Sequence, residues 1–184
     1  MSTTIMDDAA AGGDHTSLVV THFREMLMAL LPAMPVELIQ EEPDLADLYA
    51  FQCHRLEALP TWLDARARQL LSEQGLPRQA APYLSFFDGE RAGALSASLP
   101  APGLAIGHDG GGNLLAIDAA SGEVVMWDHD NGDARVFVNR DLLHFAACLC
   151  EFPYFVEDPA GFLPVVADID PQAAAEGSFW RDEH

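Results

Sequence analysis

The spacing of apolar residues changes period along this chain, from helical to strand-like and back to helical. From Ser17 onward, Leu18, Val19, Phe23, Met26, Leu27, Leu30 and Leu31 recur at intervals of three and four, and Pro32 follows. That predicts an amphipathic helix limited by the proline. Pro43-Asp44 offers a second helix start, running through Leu48, Phe51 and Gln52. Thr61 stands as an N-cap ahead of Leu63, Ala67, Leu70 and Leu71, with Gly75 and Pro77 ending that helix. Met1 to about Thr16 shows no period and reads as a flexible acidic tail, which leaves residues 17–184 as one domain.

The period then shortens. Gln79 to Pro102 is rich in Ala, Pro and Ser, and its Tyr83-Leu84-Ser85-Phe86-Phe87 predicts one short strand followed by an irregular connection. From Leu104 a β-meander unfolds: an apolar run, a glycine-rich corner from Gly107 to Asn113, a strand to Asp118, and a turn at Ala119-Ala120-Ser121-Gly122. Glu123 to Trp127 is the next strand, and Val136-Phe137-Val138 the last. Asp130-Asn131-Gly132-Asp133 joins those two with the strongest hairpin chemistry in the chain, because Asn-Gly tolerates two left-handed positions. Asn139 is then placed as the N-cap of a helix whose face is Leu142, Leu143, Phe145, Ala146 and Leu149. Beyond it, Pro153, Pro159, Pro164 and Pro171 predict short pieces wrapping the body, and Phe179-Trp180 predicts that the last piece docks.

Candidate chemistry thins out on inspection. A phosphate loop needs Lys and a hydroxyl residue after its glycines, at a helix start. Here the corner runs into a strand, carries Asp109, and belongs to a chain without Lys. An EF-hand loop needs glycine sixth and Glu twelfth. Counted from Asp128, Gly132 is fifth and Asn139 twelfth, so the loop reads as a hairpin turn. His108, Asp109, Asp128, His129 and Asp130 could gather as a metal or acid–base cluster, but the paired spacings of phosphoesterases are missing. No Gly-x-Ser-x-Gly elbow is present, and Cys148 and Cys150 lie in an apolar helical run. Neither catalytic residues, metal ligands nor a cofactor are expected.

Charge changes the picture more than any motif. Nine basic residues, all Arg, face 29 acidic ones, for a net charge of −20 in 184 residues. Such a surface repels phosphate backbones and gains nothing from counterion release, so direct nucleic-acid binding is not expected. It attracts basic proteins and accelerates their encounter. Cys53, Cys148 and Cys150 form no disulfide or metal framework. The opening MSTTIMDDAAAGGDHTS lacks the basic and apolar regions of a signal peptide, and no run approaches the roughly 20 apolar residues of a membrane span. A cytoplasmic protein without membrane contact is the expectation.

The run Leu104-Ala105-Ile106-Gly107-His108-Asp109-Gly110-Gly111-Gly112-Asn113-Leu114-Leu115-Ala116-Ile117-Asp118, with Ser121-Gly122-Glu123-Val124 and Trp127-Asp128-His129, resembles the core of the SUKH superfamily. Phe137-Val138-Asn139 before Leu142-Leu143 and Phe145, and the closing Asp170-Pro171 and Phe179-Trp180, are similar to its bacterial polymorphic-toxin immunity branch. The resemblance implies an α+β fold with helices packed around a twisted, mainly antiparallel sheet. It also implies a non-catalytic immunity protein that neutralises a cognate toxin, often a nuclease or a nucleic-acid deaminase. A basic toxin cleft would suit an acidic inhibitor, and Asp109, Asn113, Asp128, His129, Asp130 and Asp133 are the candidate partner-facing residues. A regulatory scaffold of the same superfamily, and a metal-dependent hydrolase built on the His/Asp set, are the alternatives.

Overall fold

The computed structural model describes residues 15–30, 36–42, 50–155 and 159–182. Its order is α1 (His15–Leu30), α2 (Val36–Glu41), β1 (Phe51–Gln52), α3 (Ala65–Gln69), β2 (Leu76–Pro77), β3 (Gln79–Ala80), β4 (Leu84–Phe86) and α4 (Gly89–Ser96). Then follow β5 (Gly103–His108), β6 (Leu114–Asp118), β7 (Val124–Asp128), β8 (Ala134–Asn139), α5 (Leu142–Glu151), α6 (Pro159–Ile169) and α7 (Phe179–Asp182). Strands β3 to β8 form an antiparallel meander in sequence order, and β1 pairs with β2 in a separate ribbon. The architecture is α+β, as the resemblance implies.

The meander has two ends of different construction. Each strand reverses at its connection, so alternate connections fall at the same end. The β3–β4, β5–β6 and β7–β8 links share one end, where Ser85 pairs with His108, and Leu114 with both His108 and Trp127. The β6–β7 turn and the start of α5 lie at the other end. One sheet face supplies Leu115, Ile117, Val124, Met126 and Val138 to the main core, which α1, α3, α5 and α6 close with Phe23, Ala67, Phe145 and Phe162. On the opposite face Ala116, Val125 and Trp127 are covered by Leu99 and Ala101.

The C-terminal segment is locked by an aromatic and polar knot. Trp180 is fully buried, with ring centroids 6.0 Å from Phe145, 5.5 Å from Phe162 and 5.0 Å from Phe179. Its Nε1–H donates to Asn139 Oδ1 at 2.8 Å, while Asn139 Nδ2 donates to Asp170 Oδ2 at 3.3 Å. Asp170 Oδ2 also accepts from the Arg140 amide at 2.8 Å. The end of the chain therefore docks, as Phe179-Trp180 predicts.

Several local expectations are corrected. Asn139 does not cap α5. Asp141 does so, its Oδ1 accepting from the Leu143 and His144 amides at 2.9 Å each. Asp64, not Thr61, caps α3. The predicted helix from Pro43 lies outside the described residues up to residue 49, and its later members Phe51 and Gln52 form strand β1. The stretch read as an irregular connection contains helix α4, capped by Asp88 through the Arg91 amide at 2.8 Å. Helix α6 is a continuous element that carries Pro164 inside it, not a set of short pieces. Residues 1–14 of the predicted tail lie outside the described residues, and α1 already includes His15 and Thr16.

Candidate functional site

Three hairpin connections stand side by side at one end of the meander, and together with Asp128, the last residue of β7, two of them hold every sequence-predicted partner residue. The glycine corner is built around Asp109. Its side chain is only 7% exposed and accepts from the Asn113 amide and from Asn113 Nδ2, both at 2.8 Å. His108 Nδ1 donates to the Asp109 carbonyl at 2.7 Å, and Gly112 takes the left-handed φ of 91° that closes the corner. Asp109 thus shapes the corner from within.

Asn113 couples this corner to the neighbouring hairpin. Its Oδ1 accepts from the His129 amide at 3.1 Å and from His129 Nδ1 at 2.7 Å. His129 Nε2 in turn lies 3.3 Å from Asp130 Oδ1. Asp109, Asn113 and His129 therefore form one hydrogen-bonded series across two loops, with the Asp130 carboxylate, 87% exposed, beside its outer end. Asp128 acts locally: its Oδ1 accepts from the Asp130 and Asn131 amides at 3.1 and 3.2 Å, winding residues 129–131 into a single 3-10 turn. The left-handed pair that follows is Gly132 (φ 67°) and Asp133 (φ 58°), one residue later than the expected Asn131-Gly132 pair. Asp133 projects from this position and is exposed.

Nothing basic from the adjoining strand offsets this charge. Arg135, two residues past Asp133, directs its guanidinium down the sheet to Glu123, with its Nε 3.9 Å from Asp118 Oδ2. Burial pushes the Asp118 carboxyl up, but the Ser121 and Ala120 amides and Arg135 together hold it below the ordinary carboxylate value. The positive charge is consumed at the far end of the sheet, and Asp130 and Asp133 remain exposed at the near one.

The third connection carries a residue that the sequence reading placed inside a strand. Tyr83 sits in the β3–β4 turn with a left-handed φ of 52° and is 84% exposed. A Cβ added to Gly110 would lie 3.1 Å from Tyr83 Cβ, so the two loops touch where glycine leaves room. The available signal was Pro82, which cannot donate to a ladder and favours a turn over a strand interior.

Other chemistry is sparse. Among the described residues no group of three or more His, Cys, Asp or Glu side chains could hold a metal ion. Burial pushes the Cys148 and Cys150 thiols up to about 12, which makes them inert. At the opposite end of the sheet a cleft of about 630 Å³ is lined by Trp62, Arg66, Gly122, Arg140 and Asp141 among others. Its two cations are already engaged, Arg66 with Thr16 Oγ1 at 3.3 Å and Arg140 with the Ile169 carbonyl at 2.9 Å.

The family model of the SUKH-4 immunity protein matches residues 46–183, a span that contains all three hairpin connections. No curated protein and no solved structure gives a significant match.

Proposed function

The chain belongs to the SUKH-4 immunity protein family, and from that premise we propose that it binds and neutralises a cognate toxin acting on nucleic acid, using the hairpin end of the meander as its docking surface. The family match carries the immunity role. The charge distribution supports the rest. An enzyme that works on nucleic acid presents a basic cleft to its substrate, and a protein of net charge −20 competes for that cleft by complementarity. Asp130 and Asp133 are the exposed carboxylates of that end, Asp128 and Asn113 hold the loop that presents them, and Asp109 anchors the corner beneath. His129 joins the two loops.

In this role the protein needs no catalytic group, metal or cofactor. Inhibition by occupation requires only a rigid, pre-organised surface, because ordering a loop on binding would cost affinity. No helix among the described residues is long and apolar enough to cross a membrane.

The test is co-expression with the cognate toxin domain, to be sought in the genes that flank this one. Restored growth is the expected outcome, and failure of the intact protein to rescue refutes the reading. Binding of the purified pair should weaken as salt rises, and Asp130→Lys with Asp133→Lys should slow association more than it speeds dissociation. A salt-independent association rate would remove the electrostatic part of the proposal.

A further inference from the structure

Among the described residues, the proposed docking end exposes one large aromatic side chain, and its conformation sets it apart. We propose that Tyr83 is the aromatic anchor of toxin recognition, its ring seated against a basic side chain and the apolar wall of the partner's cleft. The inference rests on the immunity reading above and names the residue through which that surface holds its partner.

A residue with a Cβ is disfavoured at positive φ, where glycine or asparagine would be comfortable, yet Tyr83 occupies φ 52°. The side chain is not part of the core, being 84% exposed while Leu84, its neighbour, is 1% exposed. A bulky aromatic held at a disfavoured backbone angle and projecting into solvent gains little burial from its own chain. Such outliers cluster where a site must be pre-organised.

The β3–β4 turn abuts Gly110 on the near side of the corner, and Gly112 on the far side faces His129, with 3.9 Å between its would-be Cβ and His129 Cε1. Tyr83 therefore borders the corner at Gly110 and the His129–Asp130 pair borders it at Gly112, two residues along, which puts an exposed aromatic side chain and an exposed carboxylate on either side of one glycine corner. A guanidinium or ammonium group lying across the glycines meets the ring's negative face and the carboxylate together. Interfaces concentrate their binding energy in a few central Tyr, Trp and Arg residues surrounded by weaker polar contacts. A net charge of −20 and exposed carboxylates commit the partner to a basic surface.

The experiment measures binding of the purified cognate toxin domain to wild type and to Tyr83→Ala, Tyr83→Phe and Tyr83→Gly, alongside thermal unfolding of each. Tyr83→Ala should raise Kd roughly 30-fold, chiefly through faster dissociation. Tyr83→Phe should stay within about threefold of wild type, because the ring face makes the contact. Tyr83→Gly should lose affinity as Tyr83→Ala does while melting at or above the wild-type temperature, since glycine fits the backbone angle. A Tyr83→Ala Kd within threefold of wild type overturns the anchor and leaves the immunity reading standing. A lowered melting temperature in Tyr83→Gly also overturns it, by giving the side chain a folding role. Absence of binding by wild type itself would sink the immunity reading instead.

Discussion

Substituting Asn139 by Asp separates two roles that an asparagine can play at the end of a strand. As a helix N-cap, Asn and Asp are nearly equivalent, and the exchange would change stability by less than about 0.5 kcal/mol. The structure places the side chain elsewhere, fully buried between Trp180 and Asp170. Asp at this position keeps an acceptor for the Trp180 N–H but turns the Nδ2 donor into an oxygen facing Asp170 Oδ2, now 3.3 Å from a donor. The hydrogen bond to a charged group is worth roughly 1.5–3 kcal/mol, and a second buried carboxylate adds a desolvation cost of a few kcal/mol more. A loss of about 3–5 kcal/mol follows, which for a chain of this size lowers the melting temperature by on the order of 10 °C. Urea unfolding followed by tryptophan fluorescence and circular dichroism measures it, at pH 7.5 and again near pH 4.5. The introduced carboxyl is easier to bury protonated, so the deficit should shrink at the lower pH. A change under 1 kcal/mol at pH 7.5 would refute the buried-knot account. As a control, Asp141→Ala, which removes the actual cap, should cost about 1–2 kcal/mol without that pH signature.

Further outcomes follow from single sites. Burial holds the His54 imidazole below its ordinary value of 6.5, although its bond to the Phe87 carbonyl and the nearby Asp88 charge oppose the shift. The unfolded chain therefore takes up the proton first as pH falls below 6.5, so stability should decline from there toward the depressed folded value, and His54→Gln should flatten that slope in urea titrations at pH 7.5 and 5.5. Of the three cysteines only Cys53 is exposed, so a thiol reagent should modify one site in the native protein and three in denaturant; two fast native sites would contradict the packing of α5. A Cβ at Gly107 would overlap the Ser85 carbonyl oxygen, so Gly107→Ala should cost about 1–3 kcal/mol and speed amide exchange selectively along β4 and β5.

The meander was legible because its signals are local and mutually consistent. The short apolar runs Leu114 to Ile117 and Val124 to Trp127 are bounded by turns whose glycines take positive φ at Gly122 and Gly132, and the chain obeys each of them. Helix α4 was hidden because Ala, Gly and Ser in Gly89–Ser96 give almost no periodic contrast, and only Asp88 marks its start. Asn139 and Asp141 show a different limit. Both are good cap residues two positions apart, and the choice between them depends on Trp180 and Asp170, which are distant in sequence. The candidate docking end divides the same way. Acidic residues on the β5–β6 and β7–β8 loops were readable from the turn chemistry, whereas Tyr83 joins them only through the pairing of Ser85 with His108 across an intervening helix.

The parity of the sheet has a consequence for how such a protein can diversify. Because the three connections at the candidate docking end are returns between strands whose register is fixed by the core, their sequences can change while the strands and the helices behind them stay in place. Asn113 binds His129 across two of the loops and Tyr83 abuts Gly110 across the third gap, so residues 81–83, 109–113 and 129–133 must change together. On the proposed docking role, transplanting the three segments as one unit into a related chain should carry partner choice with them.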